Sequence, residues 1–285
     1  MRSLTNRGLK IFFRDKGGVF FSLLGVIIIF CLFIFFIGDS IMEGLSYIDN
    51  IKEIMNSWVV AGMLASSAIT TSMGAYAIMV SDREHKTVKD FYSSPVRRSA
   101  IVGGYLTTGF VVSVLMSVIT FIFGEIYICV RGGSLLELVD ILKVLGLILL
   151  SSFASSAMVC FIVSFIRSVN VYTTVSIILG TLIGFLIGAY VNMGGLSNVI
   201  QTIIRCFPPA HAASLFRQVL MGPSMSASFA SMPPEAAVEF KESLGVVFHY
   251  GDKVAEPWIN ILVLVATGVV FYLLAIGNMA RKPQK

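Results

Sequence analysis

The sequence predicts an all-α polytopic membrane protein with six transmembrane helices, and three observations predict it. Of its 285 residues, 56% are hydrophobic and 13% are charged. An ordinary soluble domain is about 25% charged, so too little polar surface remains to coat a water-soluble globule. The charges are gathered in short stretches, and between them lie charge-free intervals of about the 20 residues that a spanning helix needs. Runs such as VFFSLLGVIIIFCLFIFFIG are continuously apolar, whereas a barrel strand alternates over about ten residues. Soluble, disordered, collagen-like and disulfide-scaffold classes are excluded.

Residues 1–18 are expected to form an interfacial helix on the inner leaflet. Arg7, Lys10 and Arg14 share one face at i, i+3, i+7, and Leu9, Phe12 and Phe13 occupy the other, the distribution that buries apolar area beside anionic headgroups. Gly17 and Gly18 are expected to turn the chain into the membrane. The basic start followed by an apolar run resembles a secretory leader, but the run is full-length and no small-residue cleavage site follows, so an uncleaved first span is expected.

A charge at the centre of a span costs about 2.5–3.5 kcal/mol. The charge-free intervals therefore place the spans at 19–38, 57–80, 99–124, 144–166, 171–191 and 257–280. With both termini cytoplasmic, 14 of the 21 Lys and Arg face inward and 12 of the 16 Asp and Glu face outward. This agrees with the positive-inside rule and accounts for the net charge of +5 without nucleic acid as a partner. Within the spans, Gly62, Ser66, Thr70 and Gly74 form one face of the second, and Gly180, Gly184 and Gly188 repeat at i+4 in the fifth. Such faces serve close helix packing, a dimer interface or the wall of a substrate path. Cys31 and Cys160 fall inside spans, Cys129 and Cys206 at outer ends, and no disulfide is expected.

The stretch at 81–98, SDREHKTVKDFYSSPVRR, predicts a short cytoplasmic helix. Ser81 or Asp82 is its expected cap, Asp82 and Glu84 favour its N-terminus, and Val88, Phe91 and Tyr92 share a face. Ser94 and Pro95 stop it and start the third span. A rigid charged helix between two spans suits docking of a cytoplasmic protein. At 192–256 the chain is expected to stay outside. MGGLSN breaks the helix, residues 196–204 are too short to cross and are expected to dip back into the outer leaflet, and Pro208 and Pro209 open an amphipathic helix carrying His211, Leu215, Phe216, Val219 and Leu220. Residues 223–256 read as a surface excursion without chemistry.

Enzymatic chemistry is missing from the sequence. There is no G-x-x-x-x-G-K-[ST] to cradle phosphates, no G-x-S-x-G or H-E-x-x-H, and His85, His211 and His249 lack metal spacing. Glu125, Lys143 and Arg167 lie at span ends, which weighs against ion coupling.

The 81–98 stretch resembles the coupling loop of type-2 ABC exporter permeases, whose pattern is close to E-R-E-x-G-T-x-x-x-L-x-x-S-P-V-x-R. Asp82, Arg83, Glu84, Thr87, Ser94, Pro95, Val96 and Arg98 fit it; Lys86 stands where glycine is usual and Phe91 where leucine is usual. The six-span layout, N-terminal helix and outer segment also match, so the resemblance covers the whole chain as a single permease domain. It implies a cytoplasmic ABC ATPase partner that binds ATP and Mg, with none bound by this chain, and coupling through residues 82–94, Asp90 included. It also implies a second permease, identical or homologous, re-entrant and external helices roofing the path, and second and fifth spans bordering a central cavity. The expected function is export of an amphipathic or lipophilic cargo, a drug, lipid or peptide, across the cytoplasmic membrane. The alternatives are a non-transporting scaffold or sensor, and an ion-coupled carrier.

Overall fold

In hydrocarbon every backbone polar group must be satisfied within the segment, which long apolar intervals achieve as helices. The computed structural model describes residues 2–45, 48–93, 98–189, 193–229, 234–250 and 253–281. The chain begins with α1 (Arg2–Arg14) and α2 (Lys16–Ser22), and continues through α3 (Leu24–Leu32), a π-helical turn (Phe33–Ile37) and α4 (Gly38–Gly44). There follow α5 (Ile51–Glu84), the short α6 (Thr87–Ser93), α7 (Arg98–Val130), α8 (Leu138–Val163) and α9 (Val169–Leu186). Beyond them come α10 (Asn198–Cys206), α11 (Pro208–Leu220), α12 (Gly222–Ser228) and α13 (Pro234–Ser243). A two-residue antiparallel pair, β1 (His249–Tyr250) with β2 (Lys253–Val254), precedes α14 (Pro257–Arg281). Among the described residues six spans are long and apolar enough to cross a membrane: α3 to α4, α5, α7, α8, α9 and α14.

All six lie where charge-free intervals predicted them, but several run further. α5 has 34 residues, about 50 Å at 1.5 Å per residue, and so overshoots a hydrocarbon core of about 30 Å. Charges at the ends extend a helix when they are partnered. Near the start of α8, Lys143 Nζ lies 2.7 Å from Asp140 Oδ1, a pairing that i,i+3 spacing allows.

The core is organised around α5. Trp58, Leu64, Ile69, Tyr76 and Met79 on this helix are all buried, between α3, α7, α8, α9 and α11. Hydroxyls join it to its neighbours: Ser67 Oγ to Ser117 Oγ at 2.9 Å, Ser113 Oγ donating to the Ala68 carbonyl at 3.0 Å, and Tyr76 with Ser156 at 2.9 Å. Close approach needs glycine at Gly124, where a Cβ would sit 2.4 Å from Val60 Cγ1.

Four expectations are corrected. Gly17 and Gly18 do not form the turn into the membrane. Asp15 accepts the Gly18 N–H at 3.0 Å and caps a new helix, so the bend falls at Asp15 and again at Leu23. The apolar face of α1 packs on protein as well as facing outward: Phe12 is buried against Ala75, Val112 and Met116, while Ile11 and Phe13 stay exposed.

In the 192–256 segment, α11 is no surface amphipathic helix. It is wedged between α5, α8 and α14, with His211, Ser214, Phe216 and Arg217 all buried. Its polar side chains hydrogen-bond inside the protein, with Arg217 Nε left without a partner among the described residues. The stretch after α13 is no bare excursion either, because Leu244, Val246 and Phe248 are buried and the Leu244 carbonyl accepts Trp58 Nε1–H at 2.9 Å. Pro233 lies outside the described residues.

Candidate functional site

The motif Asp82-Arg83-Glu84 forms the last turn of α5 and does not begin a helix; the expected cap at Ser81 or Asp82 is therefore corrected. The break falls at His85 and Lys86, where Lys86 is left-handed at φ 61°. That conformation is costly for any residue with a Cβ, which explains why glycine is usual at this position of the pattern. The short α6 then leaves in a new direction.

Carboxylates at a helix C-terminus oppose its dipole, so each acid of this turn needs a partner from elsewhere. Asp82 is buried and receives both Arg7 Nη1 and Nη2 at 2.8 Å, together with the Tyr105 hydroxyl at 2.7 Å. Hydrogen bonding to Asp82, reinforced by its charge, holds the Arg7 proton more tightly than usual despite partial desolvation. The raised value favours the folded state at every pH below the guanidinium's own, so the arginine side of the bridge adds no physiological pH dependence.

Arg83 Nη1 donates to the carbonyls of Val163 and Ile166 at 3.0 and 3.2 Å, capping the end of α8. Glu84 accepts the Val169 N–H at 3.2 Å, at the start of α9, where a carboxylate suits the dipole. Three consecutive side chains thus tie α5 to α1, α7, α8 and α9. Asn278 of α14 also reaches this end, through Ser164.

On α6, Val88 is buried, Thr87 and Phe91 are half-buried and Asp90 is exposed. The Arg7 guanidinium lies 5.4 Å from the Phe91 ring centroid, a cation–π distance. Ser94 and Pro95 lie outside the described residues, as does Val96. Arg7 and Tyr105 were not singled out for this node. The available signal was a carboxylate at an apolar helix end, which requires a cation from some other segment.

The small-residue faces divide. Between α2, α3, α5 and α9 lies a groove of about 870 Å³, lined by Thr70, Gly74 and Gly180 among others. Its hydroxyls are turned to backbone carbonyls: Ser22 to Val19, Thr70 to Ser66, Thr173 to Val169, Ser176 to Tyr172, Thr181 to Ile177 and Tyr172 to Met73. Among the described residues, Asp15, at one end, is the only charged one lining it.

Gly180 faces open space, whereas Gly74 packs against Ser22 Cβ and Gly62 against Ala189 Cβ. Ser66 and Gly184 are buried. Gly188 is a helix cap at φ 65°, with Ala189 N–H donating to the Gly184 carbonyl and Gly188 N–H to Phe185, the Schellman pattern. The glycine repeat in the fifth span is therefore not one packing stripe.

At the opposite end of the bundle, Arg217 is fully buried. It donates to the carbonyls of Gly188 at 2.7 Å, Ile187 at 3.3 Å and Gly245 at 3.2 Å, and its guanidinium lies 5.0 Å from the Trp58 ring centroid. Pro208 and Pro209 occupy the first turn of α11, Phe216 is buried in its middle, and His211 lies between the Arg205 carbonyl and Asn260. Arg217 was missed because a single cation with no nearby acid reads as a solvated charge.

A family model described as ABC-2 family transporter protein matches residues 40–276. None of the curated proteins matches the chain.

Proposed function

Because the chain belongs to the ABC-2 family of transporter proteins, it is a multi-pass membrane permease of an ABC transporter, and we propose that it exports an apolar or amphipathic cargo under the drive of a separate ATPase. ATP and Mg belong to that cytoplasmic partner. The chain has no phosphate loop of its own. Both termini and α6 face the cytoplasm in this reading, in keeping with the basic residues at that end.

The observation that carries the proposal is the node behind α6. A push on α6 is delivered through Lys86 to one helical turn that holds α1, α7, α8 and α9 together. In this reading Asp90, Phe91, Thr87, Ser94 and Pro95 meet the ATPase, while Asp82, Arg83 and Glu84 transmit the movement. The groove between the first, second and fifth spans is the cargo path on this side. Its hydroxyls already donate to backbone, so what it offers is apolar wall, which suits a drug, an acyl chain or a hydrophobic peptide.

The first and fifth spans are only 22% and 17% buried, against 78% for α5, and a second permease, identical or homologous, covers them. α10 and α11 close the outer end.

The test is reconstitution of the permease with the ATPase that co-purifies with it. Cargo-stimulated hydrolysis and ATP-dependent flux are expected. A scaffold would show neither. Normal transport after Glu84→Lys and Asp90→Lys together would overturn the coupling assignment.

A further inference from the structure

Helix α1 lies along the flank of α5 and α7, and its inward side is built for that seat. A Cβ on Gly8 would meet Thr108 Oγ1 at 2.6 Å, and one on Gly104 would meet Leu4 Cβ at 2.8 Å. With Gly8 and Phe12 turned inward, Lys10 and Arg14 point away from the protein, and Lys16 follows at the start of α2; all three are exposed. They stand beside exposed Phe13, and Phe20 continues the apolar surface along α2, while Ile11 and Phe21, also exposed, turn to the groove. Exposed cations interleaved with exposed large apolar side chains complement an anionic lipid surface, since the apolar groups enter the acyl boundary while the cations meet phosphate. No carboxylate stands on α1 to compensate them, and Asp15 turns one oxygen to Gly18 N–H.

The same helix carries Arg7 on its other flank, and Arg7 is committed twice, to Asp82 in the last turn of α5 and to the ring of Phe91 on α6. Whatever holds α1 in its seat also holds these two contacts. We propose that α1 binds anionic phospholipid of the adjoining leaflet and passes that occupancy to α6 through Arg7, so that lipid charge sets how firmly the docking helix is held. The regulatory meaning rests on α6 being the docking element. The lipid site and its link to α6 do not.

Hydrogen exchange of the full-length protein in nanodiscs of phosphatidylcholine, with and without phosphatidylglycerol, reads both steps without any ATPase. Each cation near an anionic surface is worth a factor of about five. Phosphatidylglycerol should therefore slow exchange in α1 by about tenfold to a hundredfold, and slow α6 in parallel. Lys10→Gln, Arg14→Gln and Lys16→Gln combined should abolish both effects. Arg7→Gln, and independently Asp82→Asn, should keep the protection of α1 and lose that of α6; retained protection of α1 also reports that these variants are folded. Equal exchange of α1 in the two lipids would overturn the site. Lipid-dependent protection of α6 surviving in both Arg7→Gln and Asp82→Asn would overturn the transmission. Failure of the ATPase to bind α6 would touch only the docking assignment.

Discussion

Lys86 and Arg217 show single side chains held against their intrinsic preferences, each with a measurable consequence. At φ 61° Lys86 carries the cost of about 1–2 kcal/mol that a Cβ brings to the left-handed region. Lys86→Gly removes it and returns roughly 0.4–1 kcal/mol to the unfolded chain as entropy. The expected outcome is a gain of up to about 1 kcal/mol, seen as a higher thermal midpoint in detergent, whereas Lys86→Val, β-branched, lowers it. The sequence marks Lys86 only as a departure from the usual glycine; its physical meaning lies in the backbone, which residue identity alone does not display. Arg217 satisfies three carbonyls from a buried position. Arg217→Met keeps the volume but strands those acceptors, and a loss of about 2–4 kcal/mol is expected. Arg217→Lys recovers only part of it, because an ammonium lacks the planar fork. Trp58 stacks on this guanidinium and is one of two tryptophans, so its fluorescence reports the change directly.

At the scale of elements, the existence of each span was legible, because a charge inside hydrocarbon is costly enough to leave gaps in the charge pattern. Their ends were not. Asp140 with Lys143, and Asp82 with Arg7, let helices continue through charged turns, and the Arg7 partnership joins segments 75 residues apart. The burial of α11 was hidden for a related reason, since His211, Ser214 and Arg217 are polar yet bond to backbone or Asn260 inside the protein. Close helix contact was partly legible as glycine, and it can be tested at the α5 to α7 seam. Gly124→Ala puts a Cβ against Val60 Cγ1. Val60 is stiff about χ1 and fully buried on the central helix, so overpacking of about 1–3 kcal/mol is expected. Gly124→Ala with Val60→Ala together should lose less than the sum of the two single losses, a coupling that a double-mutant cycle of thermal midpoints measures.

At the scale of the whole molecule, the node and the groove meet in α5 and α9, for Glu84 holds the start of α9 while Thr70, Gly74 and Gly180 line the space between these helices farther along. A movement imposed at the node must therefore change the groove, because α9 is joined to α5 by Glu84 at its start and by Tyr172 to the Met73 carbonyl within it. Gly180 tests whether cargo uses this space. It faces the groove, nothing lies within 4 Å of where its Cβ would stand, and leucine in place of glycine within a helix gains about 0.8 kcal/mol of propensity. Gly180→Leu should thus fold at least as well as the parent while narrowing the groove. ATP-dependent flux into vesicles is expected to fall severalfold, with basal ATP hydrolysis by the assembled complex retained. Gly277→Leu is the matched control, since Gly277 on α14 also faces open space but does not line the groove, and its flux should stay at the parental level. Equal flux in the two variants would place the cargo path elsewhere in the molecule.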